Sequence, residues 1–273
     1  MSPSGAVISE LYELDDMIEL EALLAGIWER PADPPINTDL LRALAHSGSY
    51  VAGARVGGRL VGGLVGWLGA REANEVHMHS HILGVVAGGQ ASGVGFALKQ
   101  DQRRWCLDRG VKTVEWTTDP LVRRNAYFNL TKLGARASEY LVNFYGVMTD
   151  GLNAGEESDR LVISWDLRSP SAAAAAEGLA LEPDVARLVQ DGARAVLSVG
   201  PSGEPVTGQA FGARVLICQV PDDIVALRHA DQRIARAWRL AMRQVMQDAL
   251  ESEYAVTGAT RTGWYVLENP KPE

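Results

Sequence analysis

Residues 83–98, LGVVAGGQASGVGFAL, carry an apolar run into a cluster of glycines and out again at helical spacing. Such a strand-to-helix turn presents bare main-chain N–H groups at the start of a helix, where they hold an anion without any basic side chain. Gly93 and Gly95 lack the Cβ atoms that would keep a bulky diphosphate at a distance. Spacing separates the kinds of phosphate loop. Gly88 to Gly93 has the interval of a mononucleotide loop, but Val94 and Gly95 stand where that loop needs Lys and Ser or Thr. A dinucleotide loop needs a third glycine, and Lys99 lies in its vicinity instead. A second group of chemically capable residues precedes the loop: His77, His79 and His81 alternate with Met78, Ser80 and Ile82, so an extended strand places the three imidazoles on one face. Imidazole titrates near pH ~6.5 and accepts a proton at neutral pH. Three on one straight strand cannot surround a zinc ion, and no Cys or HExxH partner stands nearby. Two uses stay open, a base with an acceptor contact or a polar sheet face whose rings are satisfied.

The elements that must position these residues follow from periodicity. Ala6–Leu11 reads as a strand, and Asp15–Trp28 as a helix with Ile18, Leu20, Leu23, Leu24 and Ile27 on one stripe. Thr38 caps a second helix through Ala45. Tyr50–Val56 and Arg59–Leu68 form a hairpin joined at Gly57-Gly58, and Glu75–Val86 is the next strand. A helix over 94–109, a strand at Thr113–Thr117 and a second helix ending at Lys132-Leu133-Gly134 come next, then strands near Glu139–Tyr145 and Leu161–Leu167. The sequence then changes to RSPSAAAAAEG, a low-complexity connector. Beyond it, Ala193–Val199, Arg214–Val220 and Trp264–Leu267 read as strands, and Asp223–Glu251 as one amphipathic helix. The expected divisions are 1–168, a connector at 169–178, and a C-terminal α/β region at 179–273.

Gln90-x-x-Gly93-x-Gly95 after Leu83-Gly84-Val85 resembles the acyl-CoA pyrophosphate loop of the GNAT superfamily of N-acyltransferases. The order of elements downstream is similar too, down to a helix ending in Lys132-Leu133-Gly134. The resemblance covers roughly residues 6–167 and is closest to a larger branch with elements like SHILGV, WTTDPL, RNAYFNLTKLG, NFYG and DRLVISW. It implies an α/β (α+β) fold with a mixed, mostly antiparallel sheet flanked by helices, here followed by a C-terminal α/β extension. It also implies acetyl-CoA or another acyl-CoA as co-substrate. Main-chain N–H groups near Leu83 and Val85 would face the thioester oxygen, where one such donor is worth about 3 kcal/mol. Gln90, Gly93 and Gly95, with the N–H groups of Ala91, Ser92 and Val94, would hold the pyrophosphate. His81 is the candidate base nearest the thioester, and His79 a candidate acceptor contact. Asn125 stands near the superfamily's pantetheine-contacting asparagine, although it directly precedes Ala126 instead of standing three residues ahead. Asn129 and Arg160 recur in the branch; Arg160 suits a carboxylate on the acceptor or acyl group, and equally a structural ion pair with Asp159. Asp119 ends the fifth strand, where open α/β sheets place functional groups, and equally fits a turn or N-cap before Pro120. One departure bears on catalysis. The tyrosine that protonates the leaving thiolate in many GNAT enzymes is here Leu130, leaving Tyr127, Tyr145 or water for that task.

Bulk properties limit the choice of function. At 273 residues and 47% hydrophobic composition the chain has ample material for a core. A net charge of −8 opposes nonspecific nucleic-acid binding. Two cysteines, an N-terminus with no basic start or apolar h-region, and no apolar run of membrane-spanning length set the expectation of a reduced, cytoplasmic protein without a membrane span. The favoured function is transfer of an acetyl or larger acyl group, succinyl included, to a primary amine of a small metabolite such as an amino acid. The alternative is a non-catalytic acyl-CoA-binding regulatory module. The C-terminal region is expected to cover the first domain's sheet, shape the acceptor pocket or form a homodimer contact; its strand, helix, strand order also fits a degenerate echo of the first half.

Overall fold

Glycines in the first hairpin decide how closely helices approach the sheet. In the computed structural model, which describes residues 5–72, 75–88, 93–147, 156–209 and 212–269, Gly63 pairs with Gly84 across two adjacent strands. A Cβ on Gly63 would lie 2.2 Å from Leu20, and one on Gly84 2.8 Å from Leu24. Only glycine leaves room for the first helix, whose Leu20 and Leu24 are fully buried there, at about 1.5–3 kcal/mol per side chain.

The chain divides into two compact units, Met1–Trp116 and Thr117–Glu273. The first contains β1 (Val7–Glu10), α1 (Leu14–Ile27), α2 (Thr38–His46), β2 (Tyr50–Val56), β3 (Arg59–Ala70), β4 (Val76–Val85) and α3 (Val94–Asp108). Strand β5 (Thr113–Thr118) runs across the division. The strands lie in the order β1-β2-β3-β4-β5, antiparallel except for β4 with β5. Helix α1 presses on one face through a core of Met17, Leu20, Leu24, Leu41, Val51 and Val65. On the other face, a Cβ on Gly62 would meet Val94 and Leu98 of α3. The cap of α2 is Asn37 and not Thr38: the Asn37 side chain accepts from the Leu40 N–H at 2.9 Å.

The second unit contains α4 (Arg123–Ala126) continuing into a π-helical turn (Tyr127–Lys132), β6 (Arg136–Leu141), β7 (Arg160–Asp166), α5 (Pro170–Ala176), α6 (Val185–Gln190), β8 (Arg194–Val199), β9 (Pro205–Thr207) and β10 (Val215–Gln219). It ends with α7 (Ile224–Ala230), α8 (Gln232–Glu251), β11 (Ala255–Ala259) and β12 (Trp264–Glu268). Its strands follow the order β7-β6-β11-β12-β10-β8-β9, with β8 and β10 parallel. The sheet is thus mixed and mostly antiparallel in each unit, with helices and additional C-terminal strands. The alanine-rich connector is a helix within the second unit, capped by Ser169, which accepts from the Ala172 N–H at 3.2 Å.

Two expectations change for local reasons. The single helix expected over 223–251 breaks at Asp231, whose extended backbone ends α7 and whose carboxylate caps α8 at the Ile234 N–H, 3.1 Å away. The strand expected to reach Tyr145 stops at Leu141, because Asn143 adopts φ 48° and Gly146 φ 73°, folding NFYG into a turn. Among the described residues, no helix is long and apolar enough to cross a membrane, and both cysteines are buried free thiols.

Candidate active site

Strands β4 and β5 begin side by side and then part. Their register consists of Met78↔Val114 and His79↔Glu115, while β4 continues to Val85 and β5 to Thr118. At the same place the β3–β4 ladder slips: Val65 pairs with Ile82 and Gly66 with Ser80, so His81 is an extra residue on β4. This is a β-bulge, a device that bends a strand and re-aims its side chains near functional sites. The consequence is visible in the packing, since Ile82 joins the α1 core together with Val65, on the same face as His81. The simple alternation expected for the segment therefore holds through Ser80 and fails at Ile82.

Pairing of β3 with β4 creates an aromatic face, Trp67 standing directly opposite His79. Trp67 lies 4.9 Å from His79 and 4.8 Å from His81 between ring centroids, and the two imidazoles are 5.7 Å apart. Beside them His77 approaches Glu115 at 3.8 Å, and Arg71 donates to the same carboxylate at 2.8 Å. Burial, then the neighbouring His81, His77 and Lys99, lowers the His79 pKa to about 4. His81 keeps an exposed edge, yet desolvation of the rest of its ring lowers its pKa below the usual value. Both rings are therefore neutral at physiological pH, the form in which imidazole accepts a proton. Among the described residues no group of His, Cys, Asp and Glu is arranged to hold a metal ion.

Helix α3 points its N-terminus out of the glycine-rich turn. Gly93 is its N-cap at φ 80°, and the Ala97 N–H makes a helical bond to the Gly93 carbonyl at 3.0 Å. The N–H groups of Val94 and Gly95 thus precede that first turn's closure and point along the dipole. No acidic residue occupies the first turn, and a Cβ on Gly93 would meet nothing within 4 Å. Gln90, Ala91 and Ser92 lie outside the described residues. Leu83 and Val85 sit on β4 beyond the bulge.

The opposite face of β4 holds a buried lysine that no motif marks. Lys99 of α3 is 2% exposed. Its Nζ donates to Ser80 Oγ at 2.8 Å and to Gln102 Oε1 at 3.2 Å, and lies 3.7 Å from the centroid of the Trp116 ring. Burial lowers its pKa to about 7, against a small opposing effect of Cys106. A signal was present in the sequence: Val94, Leu98, Gln102, Trp105 and Cys106 form the buried stripe of α3, and Lys99 falls on it. Trp67 was missed because nothing local marks it; only the pairing of β3 with β4 brings it to His79.

In the second unit the candidates have other surroundings. Asp119 is buried, and its carboxylate accepts from both terminal nitrogens of Arg239 at 2.9 Å, from Arg228 at 2.6 Å and from the Leu121 N–H at 3.0 Å. Burial alone would raise its pKa, but the two guanidinium groups outweigh it and hold the carboxyl well below the usual range. Asp159 is engaged by Arg243 at 2.9 Å through two nitrogens, by Tyr140 at 2.8 Å and by the Asn143 N–H at 3.0 Å. Arg160 therefore does not pair with the Asp159 carboxylate; it donates to the Asp159 main-chain carbonyl at 2.9 Å, and its guanidinium lies 5.3 Å from the Tyr145 ring. Burial lowers its pKa. Tyr145 is 48% exposed on its turn, with its hydroxyl 3.2 Å from Thr117 Oγ1. Asn125 is on α4, and Asn129 is buried in the π-helical turn. Leu130 lines a cavity of ≈ 270 Å³ with Thr131, Ser171, Leu179 and Pro183 and has no hydroxyl to offer.

No protein-family model matches the chain, and no curated protein matches it. Among solved structures it is similar to the ribosomal-protein-S18-alanine N-acetyltransferase from Escherichia coli, at 15% identity and TM-score 0.47 over 60% of this chain and 95% of that one. It is also similar to aminoglycoside 6'-acetyltransferase type Ii, at 18% identity and TM-score 0.46 over 60% of this chain and 98% of that one. A third similar structure is Arabidopsis thaliana Naa50 in complex with a bisubstrate analogue, at 17% identity and TM-score 0.46 over 59% of this chain and 97% of that one. At these identities the likeness concerns the course of the backbone alone.

Proposed function

We propose that this chain is an acyl-CoA-dependent N-acyltransferase acting on a primary amine of a small metabolite. The observation that carries this is the parting of β4 from β5 after His79↔Glu115, together with an α3 N-terminus that no side chain caps among the described residues. Two parallel strands that separate leave a slot whose walls carry main-chain donors, and the helix dipole favours an anion at α3's end of the unit. The open space in front of Gly93 suits a diphosphate approaching the Val94 and Gly95 N–H groups.

Acyl-CoA supplies an activated carbonyl whose thiolate is a tolerable leaving group. The chain's own residues then have three tasks. Main-chain N–H groups on β4 near the bulge and Leu83 stabilise negative charge on the carbonyl oxygen, a preorganised contribution of about 3 kcal/mol per donor. His81, neutral and reaching solvent, takes the proton that the attacking ammonium must lose. His79 and Trp67, tilted 43° to one another, form the aromatic wall against which the acceptor rests. Tyr145 is a separate candidate for returning a proton to the thiolate, with Thr117 orienting its hydroxyl.

A non-catalytic acyl-CoA-binding module is the second reading, favoured by Leu130, a buried apolar residue where a general acid is expected. Release of free thiol on screening amines separates the two: tight binding without turnover for any amine selects the module. Binding itself is tested by thermal denaturation. Acetyl-CoA raises the melting temperature, whereas NAD and ATP do not. Gly93→Asn, which tolerates the left-handed backbone but places a side chain in the open space, removes most of that rise. An undiminished rise would remove the turn before α3 from the binding site.

A further inference from the structure

We propose that Lys99 reads the far end of the acyl group and that the preferred donor is a CoA thioester of a short dicarboxylic acid, of the succinyl kind. This rests on the acyltransferase reading above and specifies its donor. The placement of Lys99 is the basis. His79↔Glu115 is the last pair between β4 and β5, and the next residue on each strand is Ser80 and Trp116. The Lys99 amino group touches both, at 2.8 Å from Ser80 Oγ and 3.7 Å from the Trp116 ring centroid. It therefore sits at the apex of the wedge, where a group inserted thioester-last between the strands would end.

Charge makes this position informative. Among the described residues no carboxylate forms an ion pair with Lys99; its contacts are a hydroxyl, an amide oxygen and an indole face. A buried ammonium without a counter-ion is costly, so the group is driven toward its neutral form until a counter-charge arrives. Burial lowers the Lys99 pKa to about 7, so a carboxylate arriving at the apex would restore the charged form and complete a charge-assisted hydrogen bond. Gln102 turns its Oε1 to Lys99, and its Nε2, buried beside Gly66 of β3, has no hydrogen-bond partner among the described residues. Length agrees. From the bulge at His81 and Ile82 back to Ser80 is one to two residues, about 3–7 Å at ~3.3 Å per residue. A two-methylene spacer between thioester carbonyl and carboxylate covers about 4 Å, at ~1.5 Å per bond.

The test compares acetyl-CoA, succinyl-CoA and succinamoyl-CoA, whose terminal group is a neutral amide of the same size, by titration calorimetry on the full chain. Succinyl-CoA is expected to bind at least about tenfold tighter than succinamoyl-CoA, and Lys99→Met to bring the two together. Equal binding of these esters to the unsubstituted protein overturns the proposal, and that comparison decides the matter even where Lys99→Met does not fold. A carboxylate preference that survives Lys99→Met also overturns it, by assigning recognition to another cation. Binding of acetyl-CoA with no carboxylate advantage sinks the Lys99 assignment alone; binding of none of the three sinks the acyltransferase reading with it.

Discussion

In the second unit each buried acid described faces an arginine, Asp119 being held by Arg228 and Arg239 and Asp159 by Arg243. In the first unit Lys99 is buried against Trp116, and His79 and His81 lie tilted against Trp67, with no carboxylate paired to any of the three among the described residues. The pKa directions follow: the second unit's Asp119 is driven toward its charged form, while Lys99, His79 and His81 are driven toward neutrality. Paired groups make structure, because their charges are consumed by one another. Groups held neutral without an ionic partner make poor structure and good chemistry, since they remain able to gain a proton or a counter-ion.

The largest expected effect concerns Lys99. Its folded pKa of about 7 lies below the ordinary 10.5, so between those values the unfolded chain binds a proton that the folded chain does not. Stability therefore rises with pH across that window, by at most about 5 kcal/mol. Because other groups titrate there, the measurement is the difference in urea-unfolding free energy between the unsubstituted protein and Lys99→Met, from pH 7 to 10. A pH-independent difference would mean that Lys99 is charged in the fold, and would erase the contrast between the units.

Asp119→Asn comes next. It leaves Arg228 and Arg239 without their shared partner and costs about 3–5 kcal/mol in urea unfolding. The native Asp119 contribution is present above the ordinary carboxylate range and is lost as pH falls through its depressed folded value, so the variant also flattens the acid limb of stability. A cost below about 1 kcal/mol would place this network among weak surface pairs.

His81→Ala carries the smallest expected energy. Loss of a general base costs about a hundredfold in kcat at saturating acyl-CoA with little change in cofactor affinity. Because the His81 pKa is lowered, kcat/KM in the unsubstituted protein stays level as pH falls to the ordinary imidazole value and declines only below it. Unchanged turnover in His81→Ala would return the histidines to the role of a packed sheet face.

Much of the first unit was legible because its signals are local. Periodicity located α1, β2, β3 and α3 to within a few residues, and the glycine cluster ahead of Val94 marked the start of α3. Asn37 was missed as the α2 cap because Asn37 and Thr38 are both capping residue types, and only the backbone at Asn37 chooses between them. Asp119 read equally as a functional group at a strand end and as a turn residue before Pro120, and it does accept the turn bond from the Leu121 N–H. Its partners, Arg228 and Arg239, lie more than a hundred positions away, beyond the reach of any local pattern.

By itself the sequence determined where most helices and strands of the first unit form, which glycine cluster opens a turn, and which histidines share a strand, since these depend on neighbours a few bonds apart. Tertiary structure alone decided that β4 parts from β5 at Ser80, that a bulge turns His81 onto Trp67, and that Lys99 meets an indole and not an acid. Protonation depends on the dielectric and the charges within a few ångströms. Folding chooses those neighbours from distant parts of the chain.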